Sequence, residues 1–301
     1  MKAWNEKTAE VKQTNSALLL EGGAMRALFT AGVLDALMEK NCYFPQVMGI
    51  SAGTLQGLGY ISHQKGRSIR LNVNYAEDKR YMGLRHLLKN GSYFNFDFIF
   101  GELTHTIDPF DFETYHKVTD IMYAIMTDAE SGEPVYVSGK SCDIEEFFKV
   151  CEASCSIPLF SKPVLLRGKH YVDGGVGMPF VPLPSELPFA CEKPVYILTR
   201  DLAYRKKPVP KGFHGLLNAM YGKHFPKVVE EMCSIPARYN QKVEKLLALE
   251  KEGKVFIIRP DKPVAVSRTE KDTKKLRALY EEGYRIGLAQ FDDLTRWLHE
   301  T

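Results

Sequence analysis

The chain has 301 residues, 45% hydrophobic and 26% charged, enough for one large globular unit with its own core. Its 40 basic and 37 acidic side chains leave a formal charge of +3, too small an imbalance to point to nucleic acid or a strongly anionic partner. No stretch approaches the ~18 consecutive apolar residues of a spanning helix, and the six cysteines form no C-x-x-C pair, which argues against a zinc site or a disulfide framework.

Residues 1–16 are polar and mixed in charge, without the apolar centre of a secretory signal. With free thiols, this predicts a cytoplasmic protein that meets membrane, if at all, from its surface. Residues 17–20 read as a short buried strand that leaves through Glu21 into a tight turn at Gly22-Gly23. Residues 25–40 have helical spacing, residues 47–50 form a second strand, and Leu55, Leu58 and Ile61 mark the next helix. The alternation predicts an α/β fold: three layers, α/β/α, with a mostly parallel central sheet.

Residues 68–88 read as one helix. Residues 91–112 are rich in aromatics: Tyr93, Phe94, Phe96, Phe98, Phe100 and Phe110, broken by Gly101 and Pro109. Such a run fits an acyl groove, a membrane contact, or plain core packing. Two hairpins are predicted, 120–127 with 134–137 and 163–166 with 169–172. Between them, Asp143 and Glu146 start a helix that reaches about Ala153. A strand follows at 194–199, and the basic run Arg205-Lys206-Lys207 reads as a solvated loop. Beyond Lys211 the chain is mainly helical, with a strand at 255–258, a linker at 260–265 and an amphipathic stretch at 269–298. The expected organisation is a polar segment 1–16, a catalytic domain 17–200, and a helical region 201–301 that completes or caps it.

Three short patterns carry chemistry. Gly49-Ile50-Ser51-Ala52-Gly53 is a G-x-S-x-G between a strand and a helix, the setting of a serine nucleophile on a sharp turn. Small neighbours let the chain reverse there, and the helix N-terminus favours developing negative charge. Glu21-Gly22-Gly23-Ala24-Met25-Arg26 follows a strand and can expose backbone amides to an oxyanion or a phosphate. It lacks the G-x-G-x-x-G and P-loop spacings of nucleotide sites. Tyr171-Val172-Asp173-Gly174-Gly175 places a carboxylate at a strand end. A serine needs a base. His214, His224 and His299 follow Asp173, but none sits in an evident strand-end loop. Asp173 is therefore the attractive base, taking the proton of Ser51 and later activating water.

In this order, the three patterns resemble the patatin-like phospholipase family, as does the stretch Ala153-Ser154-Cys155-Ser156-Ile157-Pro158 ahead of Asp173. The resemblance covers residues 17–199 and implies a serine acyl hydrolase acting on lipid esters. It implies Ser51 as nucleophile and Asp173 as base. Backbone amides of Gly22, Gly23, Ala24 and Ala52 would hold the oxyanion, and Arg26 would brace the loop. Gly49, Gly53, Gly174 and Gly175 would be the motif glycines. It implies no metal or organic cofactor and no nucleic acid, and it leaves the oligomeric state open. Ala24 and Ala27 stand where the family usually has glycine, so a differently shaped loop is expected. Two other readings stay open: a histidine-dependent esterase using His170, His214, His224 or His299, and a non-catalytic lipid-binding protein.

Overall fold

A computed structural model describes residues 15–300, so all but the end of the polar segment 1–16 lies outside the described residues. Eight strands form one sheet: β1 (Ser16–Leu20), β2 (Gln46–Ile50), β3 (Ile121–Asp128), β4 (Pro134–Ser138), β5 (Val164–Leu166), β6 (Lys169–Asp173), β7 (Lys193–Ile197) and β8 (Phe256–Ile258). Their order is β5-β6-β3-β2-β1-β7-β8, with β4 also paired to β3. The run β3-β2-β1-β7-β8 is parallel, and the two predicted hairpins supply the antiparallel strands.

Strand periodicity explains the layers. Leu18 and Leu20 of β1 enter one core, while Ala17 and Leu19 enter another. Val195 and Tyr196 of β7 divide in the same way. Helix α1 (Leu28–Glu39) and the helices Ile144–Ser154 and Thr273–Ala289 cover the first face. Helix Pro226–Lys251 covers the second through Tyr239, Val243 and Leu246. Each fully buried leucine contributes roughly 1.5–3 kcal/mol. The fold is the expected α/β/α sandwich with a mostly parallel sheet.

One local expectation fails for an identifiable reason. Residues 68–88 do not form one helix but two, Arg67–Asn74 and Leu84–Asn90. Between them Asp78 Oδ1 accepts the N–H of Arg80 at 2.7 Å, a local turn that competes with the helix ladder. Residues 260–265, expected as a linker, form neither helix nor strand and lead straight to Val266, which is buried in the first core. The helical remainder is built into the layers. β8 extends the sheet beside β7, and helix Thr273–Ala289 lies against α1. A Cβ at Gly32 or Gly283 would collide with the facing helix backbone. No helix among the described residues is long and apolar enough to cross a membrane.

Candidate active site

Sheet register assembles the site. Leu20 of β1 pairs with Gly49 of β2 on one side and Ile197 of β7 on the other. The segments leaving these strands, Glu21 to Gly23, Ser51 and Thr199, therefore emerge together at the carboxyl edge of the parallel sheet, where α/β folds bind ligands. β6 runs against β3 and ends with Asp173 opposite Met126. The neighbouring β3 residue, Ile125, pairs with Ile50 of β2. One register step thus brings the ends of β2 and β6 together, and Ser51 and Asp173 line one cavity.

Ser51 has φ 53° and ψ −129° and immediately precedes helix α2 (Ala52–Ile61). A left-handed φ on a serine costs about 1–3 kcal/mol and persists only where its surroundings enforce it. Here the Ser51 N–H donates to Ser154 Oγ at 2.9 Å, and that hydroxyl donates to Ile125 O at 2.6 Å. The elbow glycines allow α2 to press onto the sheet: a Cβ at Gly53 would stand 2.5 Å from Leu20 O.

The loop after β1 hangs on a buried carboxylate. Glu21 Oε2 accepts from Thr199 N at 2.6 Å and Thr199 Oγ1 at 3.0 Å, and Oε1 accepts from Tyr239 OH at 3.0 Å. A Cβ at Gly22 would stand 3.0 Å from Ser51 Cβ, so this loop borders the serine. The N–H groups of Gly22 and Gly23 have no acceptor among the described residues. Ala24 takes φ 50°, a left-handed conformation that costs an alanine about 1 kcal/mol. Ala27 is right-handed helical at φ −65°, so no glycine is required there. Arg26 Nε donates to Val266 O at 2.9 Å, which ties the loop to the C-terminal region. Burial pushes its guanidinium down to about 10, with Arg200 and Arg268 adding repulsion.

Asp173 is 5% exposed. Burial pushes its carboxyl up to about 6, opposed by the Ser51 hydroxyl, the Gly175 amide, Arg268 and Lys206. Oδ1 accepts the N–H of Gly175 at 2.7 Å. Oδ2 has no hydrogen-bond partner among the described residues. The Ser51 hydroxyl is close enough to favour the charged carboxylate, yet no hydrogen bond of standard geometry joins them, and Oδ2 remains an open acceptor. The turn that carries Asp173 is braced from behind. Thr127 Oγ1 donates to Asp173 O at 2.9 Å, and Arg238 donates to Val176 O and Gly177 O, both at 2.7 Å. Gly174 and Gly175 begin the helical turn Gly174–Gly177.

Ser51, Ala24 and Ile157 belong to the walls of two cavities. One, of about 90 Å³, is lined by Ala52, Leu55, Leu71, Phe96, Phe100 and Phe110 among others. The aromatic run thus turns inward: Phe96, Phe98 and Phe110 are 5%, 6% and 4% exposed, which removes them as membrane contacts. The other cavity, of about 340 Å³, holds Asp173, the Gly22-Gly23 loop, Arg26, Arg200, Lys206 and Arg268. The solvated-loop reading of 205–207 fails at Lys206. Its Nζ lies 4.0 Å over the Tyr239 ring and burial pushes it down to about 8. Arg205 does turn outward, to Glu244 at 2.6 Å.

No histidine lines either cavity. His170 packs on Phe225 with ring centres 5.3 Å apart, and His214, His224 and His299 are exposed. Sequence reasoning missed Ser154, Thr199, Tyr239, Arg238, Lys206 and Arg268. Of these, Ser154 lay in the stretch ahead of Asp173, Thr199 at the end of a predicted strand and Lys206 in the basic run, and none was read as part of the site.

Residues 18–184 match the family described as Patatin-like phospholipase. The chain belongs to the patatin-like phospholipase family. Residues 225–299 also match a domain of unknown function, DUF6363. Among curated proteins, the uncharacterized protein YjjU of Escherichia coli (strain K12) is 28% identical over 165 residues, covering 53% of this patatin-like chain and 45% of YjjU. The shared stretch therefore spans less than half of that relative. Among solved structures, VipD from Legionella pneumophila is 14% identical with a TM-score of 0.41, covering 92% of this chain and 67% of that one. Family membership associates the chain with lipid acyl hydrolysis at the coarse level.

Proposed function

We propose that this patatin-like chain is a serine acyl hydrolase that cleaves carboxylic esters of lipids. The observation that carries the reading is Ser51, held at φ 53° in the same cavity as a buried Asp173 whose Oδ2 is an open acceptor. Ser51 Oγ attacks the ester carbonyl and its proton passes to Asp173. The oxyanion is held by amides of the Gly22-Gly23-Ala24 loop and by Ala52 at the start of α2. Collapse breaks the acyl–oxygen bond, and the departing alcohol takes the proton from Asp173. Water, deprotonated by Asp173, then attacks the acyl-serine and releases the fatty acid and free Ser51. The apolar cavity suits the acyl chain. The lack of a histidine in the walls favours Asp173 over a histidine base.

Residues 201–301 belong to this functional unit, because Lys206, Tyr239 and Arg268 complete the larger cavity. The test is hydrolysis of p-nitrophenyl acyl esters by wild type and Ser51→Ala. A loss of at least about 10³-fold is expected; equal rates would end the proposal.

A further inference from the structure

The walls of the larger cavity carry more cations than carboxylates. Arg26, Arg200, Lys206 and Arg268 line it, with Lys207 beside them. Among the described residues none of the five forms an ion pair, whereas neighbouring Arg205 pairs with Glu244. The two carboxylates in the same walls, Glu21 and Asp173, attract Lys206 without forming an ion pair with it, and the cations outnumber them. Arg26 is tied to Val266 through Nε, and of the other four cations Arg200 and Arg268 lie close enough to Lys206 to repel it.

Two of the three are held in place. The Arg200 guanidinium lies 4.2 Å over the Tyr204 ring. Lys206 Nζ lies over Tyr239 and 3.3 Å from Pro179 O. Burial lowers the Lys206 ammonium, and Arg268 and Arg200 push it the same way while Glu21 and Asp173 oppose them. Cations kept together without ion-pair partners are costly where they are part-buried, as Arg200 and Lys206 are, and an anion filling the space would compensate them.

Resting on the hydrolase reading above, we propose that this cavity receives the phosphate monoester of a phosphate-bearing acyl ester, selected by Arg200, Lys206 and Arg268. Three cations without ion pairs suit a doubly charged group better than a carboxylate, and guanidinium forks match phosphate oxygens. The arrangement also fits the reaction. Ser51 sits in the walls of both cavities, so an ester carbonyl at Ser51 has its acyl chain on the aromatic side and its phosphate on the cationic side.

The test is binding, measured by calorimetry, of hexadecyl glycerol phosphate, an ether that hydrolysis cannot touch. Hexadecylglycerol, its phosphocholine counterpart and inorganic phosphate serve as comparisons. The phosphate monoester is expected to bind at least about tenfold tighter than all three. Arg200→Gln, Lys206→Met and Arg268→Gln should each weaken it about tenfold, with Lys206→Arg retaining most of the affinity. Arg268 is exposed, so its variant tests the site without disturbing the core. Equal affinity across the headgroups, or no loss in the Arg268 variant, would overturn the assignment. So would inorganic phosphate binding as tightly as the ether, which would make this a site for free phosphate. Undiminished ester turnover by Ser51→Ala would sink the hydrolase reading alone and leave this binding series decisive.

Discussion

Ser154 Oγ accepts the backbone N–H of Ser51 at 2.9 Å and donates to Ile125 O at 2.6 Å, so one hydroxyl joins the backbone of Ser51 to the central strand β3. Removing it orphans a buried donor and a buried acceptor. Ser154→Ala is expected to cost about 1–3 kcal/mol of stability. Ester turnover should fall at least about tenfold, through kcat rather than KM, because the elbow loosens without changing the cavity walls. Urea unfolding and p-nitrophenyl ester kinetics check both.

The raised carboxyl of Asp173 sets a pH profile. The base form accumulates as pH rises through about 6, so kcat/KM should climb across that value and level off above it. A rise centred near pH 4 would mean that burial does not govern this carboxyl.

The same group makes a stability claim of definite sign. A carboxyl with a higher pKa folded than unfolded favours the fold most below its unfolded value of 3.8, and this advantage is lost as pH rises through about 6. The charged form therefore costs about 3 kcal/mol at neutral pH. Asp173→Asn keeps an acceptor for the Gly175 amide and removes the charge. It should abolish turnover and raise the melting temperature at pH 7.5, with little gain at pH 4. Thermal melts at the two pH values decide it.

Filling the aromatic cavity should change chain-length preference. Leu71 is part of its wall. Leu71→Trp is expected to lower kcat/KM for a hexadecanoyl ester at least about tenfold more than for a butanoyl ester. An unchanged ratio would place the acyl chain elsewhere.

What is legible in the sequence is local. The serine elbow, the Gly22-Gly23 turn and Asp173-Gly174-Gly175 each need particular small residues within about five positions, because their backbones constrain which residues fit. The hairpins are legible for a similar reason, since alternation and turn residues fall together around Ser131-Gly132 and Arg167-Gly168. The break in residues 68–88 escapes notice because apolar spacing continues through Tyr75 and Tyr81, while Asp78 closes a turn instead. Ser154 stands 103 residues from the amide it holds. Lys206, Tyr239 and Arg268 reach the site only through the sheet order and the long helix behind it, and no short pattern records that. Ala24 is the opposite case: the missing glycine is plain in the sequence, but the backbone adopts the left-handed form regardless.

The contact between Gly32 and Gly283 is tight enough that Gly283→Val should destabilise the fold by about 1–3 kcal/mol, readable in the same urea titration. It also orders events during synthesis. On the ribosome, the helix Thr273–Ala289 that covers α1 emerges long after α1 itself. Until then an apolar surface meant for the core faces solvent, where aggregation and chaperone capture compete with folding. Arg268 arrives just before that helix. A growing chain therefore carries its serine elbow long before it can complete the cavity around it, and a C-terminal nick would return it to that half-made state.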